Sequence, residues 1–336
     1  MKQSMTNKNP LRRVMSVRGM GQVMTVTVGL IVLMIAFAII NPNFWSPTNR
    51  TNLLRQIAPI LIIGIAQSYV LITGNIDLSI GSVVGMSTMI AATLMSKGIL
   101  SPIPALLVTM ICCLAVGVIN GLLVAKFKLP PFIATLGTMT VARGIAQLVN
   151  GNYNTDSIMK FFPESAQVFK DTFYYGKTLG LYNGIWIAII LWLVFNFILS
   201  KTKTGRYIYA IGSNIDAARL SGVNVVTTTV IAYMVSSFCA FVVGIITCAT
   251  VGQGTMDAGN SYEMYAVAAS VIGGVSTLGG QGILLGTVVG AAIWGTLQNG
   301  LQFAGAPVAI RNIIIGIIVV LSVLMDVVVR TRRKSN

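Results

Sequence analysis

Long apolar stretches separated by short charged segments run along nearly the whole chain. The stretches 220–256 and 264–310, for example, contain no Asp, Glu, Lys or Arg. A helix that crosses a membrane needs about 20 mostly apolar residues, so the second stretch can supply two, divided by glycines between residues 273 and 282. The pattern predicts ten transmembrane helices. They lie at 23–40, 57–73, 79–96, 103–125, 132–149, 183–199, 226–250, 264–279, 283–303 and 308–327.

Composition supports an all-α membrane protein. Of 336 residues, 55% are hydrophobic and only 9% are charged, whereas a soluble domain carries about 25% charged residues. The mean hydropathy is +0.82. Such a chain cannot cover itself with a polar surface in water, and we interpret it as one membrane domain.

The net charge of +15 indicates orientation rather than nucleic-acid binding, because basic residues mark cytoplasmic loops. With ten spans both termini lie on one side of the membrane. A cytoplasmic location places 15 basic residues inside and seven outside. The triplet Ala36–Ala38 lies within the first apolar run, which favours an uncleaved first span over a signal peptide. The predicted parts are a cytoplasmic tail at 1–22, a transmembrane domain at 23–327 and a cytoplasmic tail at 328–336.

Two predicted loops are long. The external loop at 151–182 is either a docking surface for a soluble partner or a solvated connector. The cytoplasmic loop at 200–225 contains a predicted short helix, Ile215–Ser221, with Asn214 as N-cap and Gly222 as C-cap. This helix either transmits force from a partner or covers the floor of the bundle.

Several kinds of chemistry are excluded by the residues available. The chain has no His, and its four cysteines at 112, 113, 239 and 248 have no metal-site spacing. Gly176-Lys177-Thr178 is similar to the end of a P-loop, but Asp171 occupies the position of the required first glycine. We expect no enzyme activity, cofactor, metal or nucleic-acid partner. If the chain is a transporter, the absence of a nucleotide site means that its energy comes from a partner protein, an ion gradient or the gradient of its own substrate.

A few polar residues fall within or between the predicted spans and are candidates for a translocation path. They are Asn75, Asp77, Ser79, Thr135, Thr138, Gln298 and Asn299. Hydroxyls and amides suit a sugar or polyol, although such groups in membranes also bond neighbouring helices. Asp77 is the only acidic residue between Met1 and Asn150. It either lines the path or caps the helix that follows.

Three motifs resemble those of the permease subunits of bacterial ATP-binding-cassette (ABC) importers for monosaccharides, the ribose and galactose group. Thr73-Gly-Asn-Ile-Asp-Leu-Ser-Ile-Gly81 is similar to T-G-G-I-D-L-S-V-G, and the stretch 131–139, PFIATLGTM, is similar to P-P-F-I-A-T-L-G-T-M. Residues 211–222, IGSNIDAARLSG, resemble the segment that meets the ATPase. A fourth stretch, 262–282, fits I-G-G-x-x-x-x-G-G-x-G. The resemblance covers nearly the whole chain.

The resemblance implies ten spans of the type II ABC importer kind in the plasma membrane (the inner membrane where there are two). It also implies a homodimer or a paired permease, separate ATPase subunits and an external solute-binding protein that delivers ribose or a similar sugar. Asn75 and Tyr265 depart from the family pattern, which leaves the sugar unnamed. Two other interpretations stay open: a secondary transporter driven by an ion gradient, and a membrane scaffold. The residues implied to contact the ATPase are Gly212, Asn214, Asp216, Ala217, Ala218, Arg219, Ser221 and Gly222.

Overall fold

A computed structural model of the chain describes residues 20–335, and most of them are helical. The predicted tail at 1–22 therefore lies almost wholly outside the described residues, as does Asn336. The helices are α1 (Met20–Ile40), α2 (Pro47–Ile72), α3 (Ile80–Ser96), α4 (Pro102–Ala125), α5 (Pro131–Leu148), α6 (Pro163–Lys170), α7 (Asn183–Lys201), α8 (Lys203–Ser213), α9 (Ile215–Leu220), α10 (Val225–Val251), α11 (Tyr262–Ile272), α12 (Leu284–Phe303) and α13 (Val308–Ser335).

Ten of these helices lie at the ten predicted spans, but three boundaries were wrong. Helix α2 begins at Pro47, ten residues before the predicted start of its span. Ser46 caps the helix by accepting a hydrogen bond from the Asn49 amide (3.3 Å), and the proline occupies the first helical position. Helix α13 continues through the predicted tail to Ser335. The predicted span 264–279 is also incorrect, because α11 ends at Ile272, where Gly273 and Gly274 follow. At 11 residues, α11 is only about 16 Å long and cannot cross the hydrocarbon layer alone.

Within residues 20–335, five helices are long and apolar enough to cross a membrane by length and composition: α1, α2, α4, α7 and α10. Helices α3 and α11 and the segment 308–324 of α13 are shorter apolar helices. The side chains exposed on α1 include Val28, Ile31 and Val32, as expected of a helix that faces lipid. The chain is thus a multi-pass membrane protein.

The two longest described helices of the core, α2 and α10, pack against each other and organise the rest. Helices α3 and α4 pack on α10, and α11 and α12 pack on α2 in the same way. Each long helix is followed by a non-helical break, at 73–79 and at 252–261, and then by a shorter helix. The segments α2–α4 and α10–α12 therefore share one arrangement, which is typical of transporters built from internal repeats.

The segment between α5 and α7 is folded and anchored to one end of the bundle. It contains α6, a π-helical turn (Asp171–Tyr175) and a two-stranded antiparallel hairpin of β1 (Lys177–Thr178) and β2 (Leu181–Tyr182). The Thr155 amide donates to the Gly254 carbonyl (3.0 Å), which ties the segment to the break after α10. Prediction of a loop at 151–182 therefore missed its internal structure.

Candidate functional site

The break between α2 and α3 is held by its own side chains. Gly74 has a φ of +80° and takes the chain out of the helix. The Thr73 hydroxyl donates to the Val70 carbonyl (2.6 Å), and Asn75 Nδ2 donates to Thr73 Oγ1 (2.8 Å). Asn75 thus stabilises the turn in which it lies, and its side chain is half-buried.

Asp77 ties this break to α10. The residue is 1% exposed, and its Oδ1 accepts hydrogen bonds from the Ser79 amide (2.9 Å) and hydroxyl (2.6 Å). Its Oδ2 accepts one from the hydroxyl of Ser236 on α10 (2.7 Å). The Tyr233 hydroxyl, also on α10, donates to the Ile76 carbonyl (3.0 Å). The N-cap position of α3 falls on Ser79. Asp77 therefore precedes the cap by two residues and accepts the hydrogen bond of the Ser79 amide.

The polar contacts of Asp77 continue across three helices. Asn120 of α4 donates from Nδ2 to Ser79 Oγ (3.0 Å), and its Oδ1 accepts from the hydroxyl of Thr138 on α5 (2.6 Å). Asp77, Ser79 and Thr138 are therefore brought together through Asn120. Thr135 is buried and donates to the Pro131 carbonyl of its own helix (2.8 Å). Because the carboxylate oxygens and these hydroxyls already have partners, the network binds helices to one another.

Asn299 lies in a different place, between the C-terminal part of α12 and the N-terminal part of α2. Asn49 donates from Nδ2 to Asn299 Oδ1 (2.8 Å), and Asn299 Nδ2 contacts Asn49 Oδ1 (3.1 Å) and Gln56 Oε1 (3.3 Å). This amide cluster borders an open cavity of ≈ 380 Å³, which Gln298 does not line. The structure thus separates the predicted path residues into two sets. We call Asp77, Ser79, Asn120 and Thr138 the inner network, and Asn49, Gln56 and Asn299 the outer amide cluster.

The predicted coupling segment forms α8 and α9. The Asn214 side chain accepts hydrogen bonds from the Asp216 and Ala217 amides (3.0 and 2.9 Å), which makes it the N-cap of α9 as expected. Arg219 Nη1 lies 3.3 Å from Asp216 Oδ1.

The end of α9 and its outer surface suit a contact with another protein. The C-cap is Ser221 rather than the predicted Gly222, because α9 ends one residue earlier, at Leu220. Gly222 follows the cap with a φ of +81°. Ala218 is buried, whereas Ile215 is 45% and Leu220 90% exposed. These two large apolar side chains are therefore available for contact with another protein.

Four glycines bring this segment against the break after α2. A Cβ atom on Gly212 would overlap the carbonyl oxygen of Ile72, the last residue of α2, and would lie 2.5 Å from the Gly280 nitrogen. A Cβ on Gly279 would lie 2.8 Å from both the Gly74 Cα and the Gly212 oxygen. The Gly280 amide donates to the Ile72 carbonyl (2.8 Å). We call the set Gly74, Gly212, Gly279 and Gly280 the glycine junction.

A second contact reinforces the glycine junction. The hydroxyl of Tyr209 on α8 donates to the Gly282 carbonyl (2.6 Å). The coupling segment therefore touches both the break that carries Asp77 and the loop between α11 and α12.

The second break, after α10, is held by a side chain that the sequence interpretation left without a role. Arg143 of α5 donates from Nη1 to the carbonyls of Met256 and Ala258 (both 2.9 Å). Asn120, Ser236 and Arg143 all act across distant parts of the chain, so no local pattern marks them. Each could have been selected only as a polar residue within an apolar span.

One protein-family model matches residues 49–323 of the chain. Its description is branched-chain amino acid transport system / permease component. The matched range includes both breaks, the coupling segment and the outer amide cluster. No solved structure matches the chain.

Characterised relatives match over almost their full length. The ribose import permease protein of Bacillus subtilis (strain 168) is 36% identical over 308 residues, covering 91% of this chain and 92% of the relative. That of Haemophilus influenzae is 37% identical over 311 residues, covering 91% and 93%. The galactose/methyl galactoside import permease protein of Escherichia coli (strain K12) is 32% identical over 321 residues, covering 90% and 94%.

Proposed function

This chain belongs to the permease family described as branched-chain amino acid transport system / permease component, and we propose that its own solute is a monosaccharide rather than an amino acid. The chain is a permease subunit of an ABC importer of the ribose and galactose type. The observation that carries the proposal is the match to ribose import permeases over about nine-tenths of both chains. Ribose is the first candidate, and the galactoside relative keeps other monosaccharides in the tested set.

The partners follow from this assignment. An importer of this kind works with an ATPase subunit and a solute-binding protein, and we propose that ATP is hydrolysed on the separate subunit. The chain forms a homodimer or pairs with a second permease. An ion-gradient mechanism is not favoured, since the one carboxylate in the first break is fully engaged by Ser79 and Ser236.

We propose that α9 docks on the ATPase and that the glycine junction carries its movement into the membrane. The exposed Ile215 and Leu220 support the docking surface. The close approach of Gly212 to the Ile72 carbonyl supports the second step, because a shift of α8 would displace the end of α2. The break at 73–79 would move with it, and Asp77 would transmit this movement to α10.

The proposed orientation has ten spans and cytoplasmic termini, in a type II importer arrangement. It is supported by contacts between segments that this orientation assigns to the same side of the membrane. The external residues Thr155 and Gly254 meet at one end, and the glycine junction gathers the cytoplasmic segments. We propose that α11 crosses the membrane together with the non-helical segments on either side of it. A membrane-impermeant maleimide should label a cysteine at Ser165 from outside and one at Ser221 only from the cytoplasm.

The sugar is identified by ATP hydrolysis in the reconstituted complex of this chain, its ATPase and its binding protein. Ribose, allose, galactose, fructose and an amino acid are compared. We expect one monosaccharide to raise the binding-protein-stimulated rate several-fold and the amino acid to leave it unchanged. Stimulation by a branched-chain amino acid alone would contradict the proposed substrate class.

A further inference from the structure

The cavity beside the outer amide cluster has the dimensions and position of a ligand site. It lies between the outer ends of α2 and α12, with Tyr174 of the external segment at its edge. We call it the outer cleft. Its volume of ≈ 380 Å³ lies at the lower end of the range of about 300–1,000 Å³ found for small-molecule sites, which suits a small solute.

The lining of the outer cleft is dominated by amides. Asn49, Asn52 and Gln56 follow one face of α2, while Asn299 and Gln302 follow one face of α12. An amide offers two donors and an acceptor with two lone pairs. Sugar hydroxyls both donate and accept, so they pair with either end of an amide. Among the described residues no carboxylate lines the cleft, so they offer a cation no counter-charge.

The amides divide into a buried pair and an open set. Asn49 and Asn299 are 4% and 2% exposed and bond each other, so they fix the spacing of the two helices. Asn52, Gln56 and Gln302 are exposed. In the described part of the chain the Asn52 and Gln302 side chains form no hydrogen bond, and Gln56 uses only Oε1. Their remaining donors and acceptors are available to a solute.

Arg55 closes one side of the outer cleft. Its guanidinium lies over the rings of Tyr174 (4.4 Å to the centroid) and Tyr182 (3.3 Å), which holds it in place. Its buried Nε has no hydrogen-bond partner among the described residues. The Tyr174 side chain therefore borders the cleft beside these polar groups, and a sugar ring, which carries both apolar C–H groups and hydroxyls, can contact both.

The open amides lie on the part of α2 that precedes its apolar run. Asn52 and Gln56 fall between Pro47, where the helix begins, and residue 57, where the predicted span begins. Exposed amides are stable in contact with water and costly in lipid. The outer cleft thus faces an aqueous route.

We propose that the outer cleft is a binding site for a monosaccharide, occupied after the binding protein releases the sugar and before it moves inward. This inference rests on the proposed function. Since the cleft is open and a transport site must also release its solute, we expect dissociation constants on the order of 10 mM.

The test is protection of a cysteine at Asn52 in right-side-out vesicles that carry the whole complex but no binding protein and no ATP. A membrane-impermeant maleimide should label Asn52→Cys, and about 200 mM ribose should slow labelling at least three-fold. Equimolar glycine betaine, which has no hydroxyl, should not. Ser165→Cys in the external segment is the matched control, which ribose should leave unchanged. The unsubstituted chain gives the blank, since three of its four cysteines are buried and Cys112 is half-buried.

A second substitution makes the result specific. Gln302→Leu in the Asn52→Cys background should abolish protection by ribose while leaving labelling itself intact. Three results would overturn the proposal: no labelling of Asn52→Cys beside normal labelling of Ser165→Cys, labelling that ribose does not slow, or protection that survives Gln302→Leu. If ribose fails to protect Asn52→Cys while the unsubstituted complex shows normal ATP-driven uptake, only the cleft is rejected. If ribose protects Asn52→Cys while the unsubstituted complex shows no ATP-driven uptake, the importer assignment is rejected instead.

Discussion

Gly212→Ala is expected to reduce sugar uptake at least about 50-fold while the ATPase subunit still binds. The added methyl group would overlap the Ile72 carbonyl oxygen and press on the Gly280 nitrogen. Overpacking normally costs about 1–3 kcal/mol, and here the obstructing atoms are backbone that cannot rotate away. The coupling segment must therefore move out of contact with α2. Since α9 begins three residues later, its docking surface stays intact.

Uptake, ATP hydrolysis and co-purification of the ATPase are measured together for Gly212→Ala. We expect hydrolysis to continue without uptake, which is the signature of uncoupling. Gly29→Ala is the matched control, because a Cβ at Gly29 on α1 meets nothing within 4 Å. Gly280→Ala, on the other side of the junction, should reproduce the defect. Normal uptake by Gly212→Ala would refute the coupling route through the glycine junction.

Asp77→Leu is expected to abolish uptake and lower the thermal stability of the protein by several degrees. Leucine fills a similar volume but leaves the Ser79 amide, the Ser79 hydroxyl and the Ser236 hydroxyl without the acceptor that they now share. Each buried polar group left without a partner costs about 1–3 kcal/mol. The measurement is a thermal melt of the purified permease together with uptake.

Asp77→Asn separates the structural role from a path role. The amide keeps an oxygen for Ser79, and the Ser236 hydroxyl can rotate to accept from the new Nδ2. We expect at least about one third of normal uptake, because the contact geometry is retained. An Asn variant as stable as the original protein but without uptake would show that the carboxylate itself acts on the solute. Ser236→Ala, which removes one donor, should fall between the Asn and Leu variants in stability.

Local signals in the sequence predicted local structure well. Asn214 as an N-cap signal marked the start of α9, and the apolar stretches located ten helices. The errors arose where polar residues extend a helix or glycines end one. Helix α2 continues outward through Asn49, Asn52 and Gln56, which an apolar window excludes. The predicted span 264–279 was wrong at its end because Gly273 ends α11 inside an apolar stretch.

The long-range contacts could not be obtained from the sequence. Glycines 74, 212 and 279 lie in three separate motifs, and only the packing of α2, α8 and the loop before α12 brings them together. Asp77 was singled out correctly as an unusual buried carboxylate, yet its partner Ser236 is 159 positions away. The same holds for Asn49 and Asn299, whose pairing defines the outer cleft and separates it from the inner network.

The source of energy is the most direct test of the whole account. Proteoliposomes containing this chain and its ATPase subunit, with binding protein and radiolabelled ribose outside, are compared with and without enclosed ATP. We predict that uptake requires both ATP and the ATPase subunit and persists when an ionophore collapses all ion gradients. Uptake by this chain alone that the ionophore abolishes would contradict the assignment as an ABC importer permease.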